Sequence, residues 1–261
     1  MTNTLEIMNT ISITRKHNYA ILQLNRGKVN AINHLMVREI RSAIASFHQD
    51  SEVKGVILTG IPHFFTAGLD VIELYSYNKE QITAFFADFG GMFIDLVTFK
   101  KPLVAALTGH APAGGCVMAI ACDYRVMAKG DRYTIGLNEM AVSIQISKNL
   151  TDAYAFWLGS GSAYKYILEG KLLTVDEALK AGLIDGAVVL EDVLPTAEKQ
   201  MQKYLSFHGE IFKSTKAKLR QDWLSKLEKD AEKSLQEAST MWWDPEVRAR
   251  MQAFVERLQK K

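Results

Sequence analysis

Two glycine-centred turns constrain this chain more than any other feature: FFTAGLDV at 64–71 and HAPAGGCVMA at 110–119. Each follows a hydrophobic run of strand type, VKGVILTG (53–60) and KPLVAALTG (101–109), and each opens a run of helical type. Alternating buried strand, tight turn and helix favours an α/β fold with parallel pairing. A helix start exposes unpaired backbone N–H groups and the positive end of the helix dipole. Two such starts converging on one point would form an oxyanion hole for a carbonyl that gains negative charge. Glu139, in IGLNEM, is the carboxylate candidate for handling a proton there.

Composition narrows the class. A chain of 261 residues is long enough to bury a sizeable core. A net charge of +2 is too small to argue for nucleic acid or an anionic membrane. The 2 cysteines, Cys116 and Cys122, leave no disulfide framework and no metal-spaced cluster, and read as small buried hydrophobes. His34, His63 and His110 lack metal spacing. MTNTLEIMNTISITRKH has no apolar run of signal-peptide length and is not arginine-rich, and nothing reads as a transmembrane helix. The expected compartment is the cytoplasm.

Strands are expected at Thr10–Thr14, Ala20–Leu24, Val53–Thr59, Leu103–Leu107 and Tyr124–Ala128. Asn33 is placed to cap a helix whose apolar face is Met36, Ile40, Ala43, Ile44 and Phe47. Lys79–Phe99 reads as a second helix, interrupted by Gly90–Gly91, which implies either a kink or close packing. Phe85, Phe86, Phe89 and Phe93 on it read as core. Strand signals stop near Asp192, and the remainder is lysine- and glutamate-rich helix. Asp244-Pro245 is a cap followed by proline at the first helical position. The helix after it carries an apolar stripe, Val247, Met251, Phe254 and Leu258, to be covered either by a second subunit or by the chain's own core. Lys213–Arg220 (KSTKAKLR) reads as a solvated helix face.

These residues carry a resemblance. GKVNAIN (27–33), VILTGIPHFFTAGLDV (56–71), ALTGHAPAGGCVMAIACDYRVMA (106–128), YTIGLNEMAVSI (133–144) and LEGKLLTVDEALKAGLID (168–185) resemble the crotonase, or enoyl-CoA hydratase/isomerase, superfamily. PAGGC, ACDYRVMA and IGLNE together are similar to its mitochondrial-type 3,2-enoyl-CoA isomerase branch. The resemblance implies a spiral of ββα turns for 1–195 and a C-terminal helical region, 196–261, that builds a homotrimer or a dimer of trimers. It implies an acyl-CoA substrate in fatty acid metabolism such as β-oxidation, CoA being part of the substrate, with no metal or other cofactor. It gives the oxyanion donors as the N–H groups of Ala67 and Gly114. Ala67, Gly68, Leu69, Asp70 and Val71 would run along the thioester and pantetheine, Asn138 would border the acyl group, and Glu139 would be the catalytic carboxylate. The helix bearing Phe85, Phe86, Phe89 and Phe93 would help line the acyl tunnel. Arg26, Lys28 and some cations of Lys213–Arg220 are candidates for the CoA phosphates.

The chemistry is consistent with those roles. Removing the α proton of a thioester places charge on its carbonyl oxygen, and losing one oxyanion donor typically costs roughly 3–4 kcal/mol in the transition state. An apolar surround raises the pKa of a carboxylate and makes it a better base. Hydratases of the family carry a second glutamate three residues after the oxyanion glycine, where this chain has Val117. Valine cannot hold water or move a proton, so the expected reaction is double-bond migration by one glutamate. MAVSIQIS (140–147) lacks the glycine and proline usual in that segment, so acyl-chain preference does not carry over from the resemblance. The alternatives are hydration or another crotonase-type acyl-CoA reaction, or a non-catalytic acyl-CoA- or RNA-binding member. The small basic excess argues against RNA.

Overall fold

The computed structural model describes residues 4–227 and 231–260. Residues 1–3, in the N-terminal stretch read above, and 228–230 and 261, in the C-terminal helical region, lie outside the described residues. The chain begins with an antiparallel meander, β1 (Thr4–Ile7), β2 (Ile11–Arg15) and β3 (Ala20–Leu24). Helix α1 (His34–Gln49) follows, and Asn33 caps it by accepting from the Met36 N–H. From there a unit repeats: a strand in a large sheet, a short strand in a small sheet, then helix. The first unit is β4 (Val56–Thr59), β5 (His63–Phe64), α2 (Val71–Tyr75) and α3 (Lys79–Thr98). The second is β6 (Leu103–Leu107), β7 (Gly109–Pro112) and α4 (Gly114–Ala121). The third is β8 (Tyr124–Ala128), β9 (Thr134–Gly136), a 3-10 turn over Glu139–Val142, α5 (Lys148–Leu158) and α6 (Ser160–Leu168). Then come β10 (Leu173–Thr174), α7 (Val175–Ala181), β11 (Gly186–Val188), α8 (Leu190–Leu205), α9 (Gly209–Leu227), α10 (Ala231–Trp242) and α11 (Pro245–Gln259).

The large sheet runs β1-β2-β3-β4-β6-β8-β11, with parallel pairing from β3 onward; the small one runs β10-β9-β7-β5. This is the expected ββα spiral. Strands β4 and β6 are buried along their whole length because the sheet is covered on both faces. One face packs on the main core of α1, α3 and α4. The other presents Ile57, Val104, Ala106 and Val126 to Val193, Ala197 and Met201 of α8. Residue 195, the expected end of the core, therefore falls inside a helix that the sheet uses.

Helix α3 is continuous through Gly90 and Gly91, and Gly91 packs closely on Arg41, one of the two readings of that pair. One expectation needs correcting. The Lys213–Arg220 face is not solvated throughout. Lys216 and Arg220 are buried, and both pair with Asp123, at 2.7 and 3.0 Å. The stripe on α11 is partly covered within the chain, one of the two covers expected for it. Met251 is buried and Val247 packs on the core, joined by Val255, while Leu258 stays exposed. Asp244 caps α11 as expected, accepting from the Glu246 and Val247 N–H groups.

Candidate active site

The first glycine turn is held by three anchors, each reaching between the segment around residues 26–30 and the turn itself. Asn30 holds left-handed backbone (φ 51°), and its side-chain amide donates to the Leu24 and Phe65 carbonyls. The Thr66 hydroxyl donates to the Asn30 carbonyl and accepts from the Gly68 N–H. Arg26 pairs with Asp70 at 2.8 Å and with Glu73 at 2.9 Å. Asp70 also caps α2 through the Glu73 N–H. Its carboxylate is thus committed to the turn, and Arg26 is tied to it rather than free for a phosphate. Lys28 is exposed. None of these anchoring roles was read from the sequence.

The hydrogen bonds of this turn correct one expected donor. The Ala67 N–H already donates to the Val29 carbonyl at 2.9 Å. Thr66 N–H goes to His110, Asp70 N–H to Ile32 and Val71 N–H to Leu69. Gly68 sits at φ +91°, a conformation that favours glycine, and just beyond it the Leu69 N–H is left without an acceptor among the described residues. The donor this turn offers is therefore Leu69, not Ala67.

The second turn supplies its partner. Gly114 is the first residue of α4, where an N–H has no intrahelical acceptor by construction. Ala113 before it adopts φ 46°, ψ −115°, a strained conformation for a residue with a side chain, and its own N–H is held by the Gly136 carbonyl at 2.8 Å. The two turns touch: a Cβ added to Gly68 would lie 4.0 Å from the Gly114 nitrogen, and one added to Gly114 would lie 3.3 Å from the Leu69 side chain.

Leu69 and Gly114 open onto a cavity of about 340 Å³ that also reaches Glu139. Helix α3 walls it with Phe86, Phe89, Gly90, Phe93 and Ile94, and α10 faces them with Leu235 and Ala238. Ile144, Gln145 and Leu150 complete the rim, so the atypical segment after the base does shape the pocket. Within that segment Ser143 holds left-handed backbone, φ 60°, a conformation glycine adopts without cost. Of the expected substrate-binding residues, Leu69 and Gly114 line this cavity; Ala67, Gly68, Asp70, Val71 and Asn138 do not.

Glu139 heads the 3-10 turn and is 5% exposed. Its Oε2 has no hydrogen-bond partner among the described residues. Burial pushes its pKa up to about 7, against an opposing pull from its own backbone N–H. A carboxylate so placed can take a proton near neutral pH and give it back. Asn138 Oδ1 beside it is also buried and unpartnered. Val117 is wholly buried inside α4 and lies outside the cavity lining. Cys116 is equally buried, and burial raises its thiol pKa well above the ordinary range.

The remaining candidates are structural. Phe85 is core, Phe93 is buried at the cavity wall, and Phe86 and Phe89 are half-buried and line the cavity. His34 pairs with Asp88 at 2.7 Å, and His63 and His110 pack with Tyr133. No cluster of metal-ligating side chains occurs among the described residues. No helix among them is long and apolar enough to cross a membrane.

Comparison with known proteins places this geometry in a family. The model of the family described as Enoyl-CoA hydratase/isomerase matches residues 14–261. Mitochondrial enoyl-CoA delta isomerase 1 of Mus musculus is 31% identical over 243 residues, covering 93% of this chain and 84% of that one. A probable mitochondrial enoyl-CoA hydratase of Dictyostelium discoideum is 32% identical over 202 residues, covering 76% and 70%. The crystal structure of human mitochondrial delta3-delta2-enoyl-CoA isomerase superposes with a TM-score of 0.93 at 27% identity, covering 97% of this chain and 99% of that one. The chain belongs to the enoyl-CoA hydratase/isomerase family.

Proposed function

We propose that this protein is an enoyl-CoA isomerase that converts 3-enoyl-CoA to 2-trans-enoyl-CoA. The observation that carries the reading is a single buried carboxylate, Glu139, in the lining of the apolar cavity; the other acid there, Glu232, is exposed on α10. The thioester carbonyl accepts from the Leu69 and Gly114 N–H groups. Glu139 takes a proton from C2, and the electron pair spreads over C2–C4 and the carbonyl oxygen as a dienolate. The same carboxyl then delivers the proton to C4, and the double bond ends between C2 and C3. The two fixed donors stabilise the charge as it develops, and the apolar walls keep water from it. Hydration would need a second group to hold and activate water, and Val117 offers none. Hydratases and isomerases are similar to this chain at nearly equal identity, so the proposal rests on the lone carboxylate and not on the relatives.

Two assays test it. Mixed with 3-enoyl-CoA, the protein should produce the conjugated product, and mixed with 2-enoyl-CoA it should add water far more slowly. Equal rates in both would replace the isomerase reading with the hydratase one. Activity in neither, with acyl-CoA still bound, would make it a non-catalytic binding member.

Assembly and location are part of the proposal. Phe207, Ile211 and Leu219 are exposed on or beside α9 and support a homotrimer or a dimer of trimers. Light scattering at micromolar concentration should give a trimer or hexamer mass; a monomer would remove this claim. A cytoplasmic location belongs to this reading, whereas the mammalian relatives are mitochondrial by name.

A further inference from the structure

The cavity has one wall position that lacks a side chain for no packing reason. Gly90 and Gly91 lie in the middle of α3, where glycine weakens a helix relative to alanine. Gly91 is explained by its neighbour: a Cβ there would come within 2.7 Å of the Arg41 guanidinium. That guanidinium is fixed by hydrogen bonds to Asp88 and Asp95. Gly90 has no such constraint, because a Cβ there would meet nothing within 4 Å. It opens onto the cavity, as do Leu235 and Ala238 of α10, the helix packed along α3. One end of the gap between these helices is closed by Phe86 against Trp242, ring centres 5.4 Å apart. Phe89 stands next to the oxyanion turn, its ring 3.5 Å from where a Gly114 Cβ would be. A thioester held at Leu69 and Gly114 therefore passes Phe89 first and Gly90 next.

We propose that Gly90 sets the acyl-chain length this site accepts. The substrates are thioesters whose chains extend well past the reacting carbons, with their distal methylenes lying over Gly90 against Leu235 and Ala238. The assignment rests on the acyl-thioester reading above. It deepens that reading, because the missing side chain is what leaves the strip between α3 and α10 wide enough for an alkyl tail.

The test compares hexanoyl-CoA with dodecanoyl-CoA, binding by calorimetry and turnover with the matching 3-enoyl-CoA pair, in wild type, Gly90→Leu and Gly90→Ala. Each methylene buried is worth roughly fourfold in affinity, so the wild type should favour the longer chain. Leucine at this position should cost dodecanoyl-CoA at least about tenfold while leaving hexanoyl-CoA within about threefold. Alanine restores helix propensity and should shift the ratio the same way by about threefold, which keeps the test decisive if the leucine variant does not fold. Equal loss for both chains, or no loss in either variant, overturns the role of Gly90 and leaves the acyl-CoA reading standing. Failure of the wild type to bind either thioester overturns that reading itself and Gly90 with it.

Discussion

Glutamine in place of Glu139 should reduce isomerisation by on the order of a hundredfold or more, the low end for acid–base catalysis, and should leave acyl-CoA affinity nearly unchanged. Glutamine keeps the shape of the side chain and loses only the ability to take a proton. The wild-type pH profile carries the same signature. Only the ionised carboxylate abstracts a proton, and burial holds its pKa up to about 7. The rate constant kcat/KM should therefore fall about tenfold per pH unit below that point and level off above it. A variant with near-wild-type turnover, or a profile flat down to pH 5, would remove Glu139 from the chemistry.

The same substitution has a stability effect of predictable sign. The folded-state pKa is raised from 4.5 to about 7, so between those values the folded chain holds a proton that the unfolded chain has lost. Stability from this group is intact below pH 4.5, declines as pH rises through the window, and reaches its full cost above pH 7. The shift corresponds to a cost of about 3 kcal/mol at most. Urea unfolding of Glu139→Gln should show a gain over wild type that grows by roughly 2–3 kcal/mol between pH 4 and pH 8. A pH-independent difference would mean the carboxyl is not desolvated. A gain that grows with pH would instead make Glu139 a residue that costs the fold stability in the ionised form catalysis requires, a trade expected at active sites.

How much of this was readable in advance depends on what each signal reports. The strands β4 and β6 were legible because burial on both faces writes a nearly unbroken apolar run, and β3 and β8 are interrupted only by Gln23 and Arg125. Strands β5 and β10 have two residues each and β9 three, too few to show any period, so the small sheet was invisible. Both glycine turns and Glu139 were legible from their motifs. The identity of the first donor was not, because it belongs to the backbone: Ala67 and Leu69 differ in where their N–H groups point, and the Val29 carbonyl decides it. The apolar stripe on α11 could be seen, but not what covers it. The cations of α9 misled for a related reason. KSTKAKLR has the composition of a solvated face, and nothing local reveals that Asp123, some ninety residues earlier, draws two of its charges inward.

That buried ion set carries the largest expected loss of stability. Asp123 accepts from the Leu103 N–H and from Lys216 at Oδ2, and from Arg220 at Oδ1. Side-chain exposures are 11% for Asp123, 8% for Lys216 and 4% for Arg220, so water cannot replace the lost partner. Burial already presses Lys216 down to about 8, which means the carboxylate is needed to keep both cations tolerable. Asp123→Ala strands two positive charges and should cost about 3–5 kcal/mol, the range for removing one partner of a buried pair. Lys216→Met should cost much less, because Asp123 keeps Arg220 and the Leu103 N–H while a desolvated charge disappears. The two cations also hold α9 in place through the carbonyls of Lys101 and Val97, the latter at the end of α3. Helix α10, which lines the cavity, is the next described helix after α9. Hydrogen exchange in α10 should therefore quicken in Asp123→Ala under conditions where the rest of the chain stays folded. A loss under about 1 kcal/mol for Asp123→Ala, the size of an exposed surface pair, would show that these charges are solvated and that α9 is anchored by apolar packing alone.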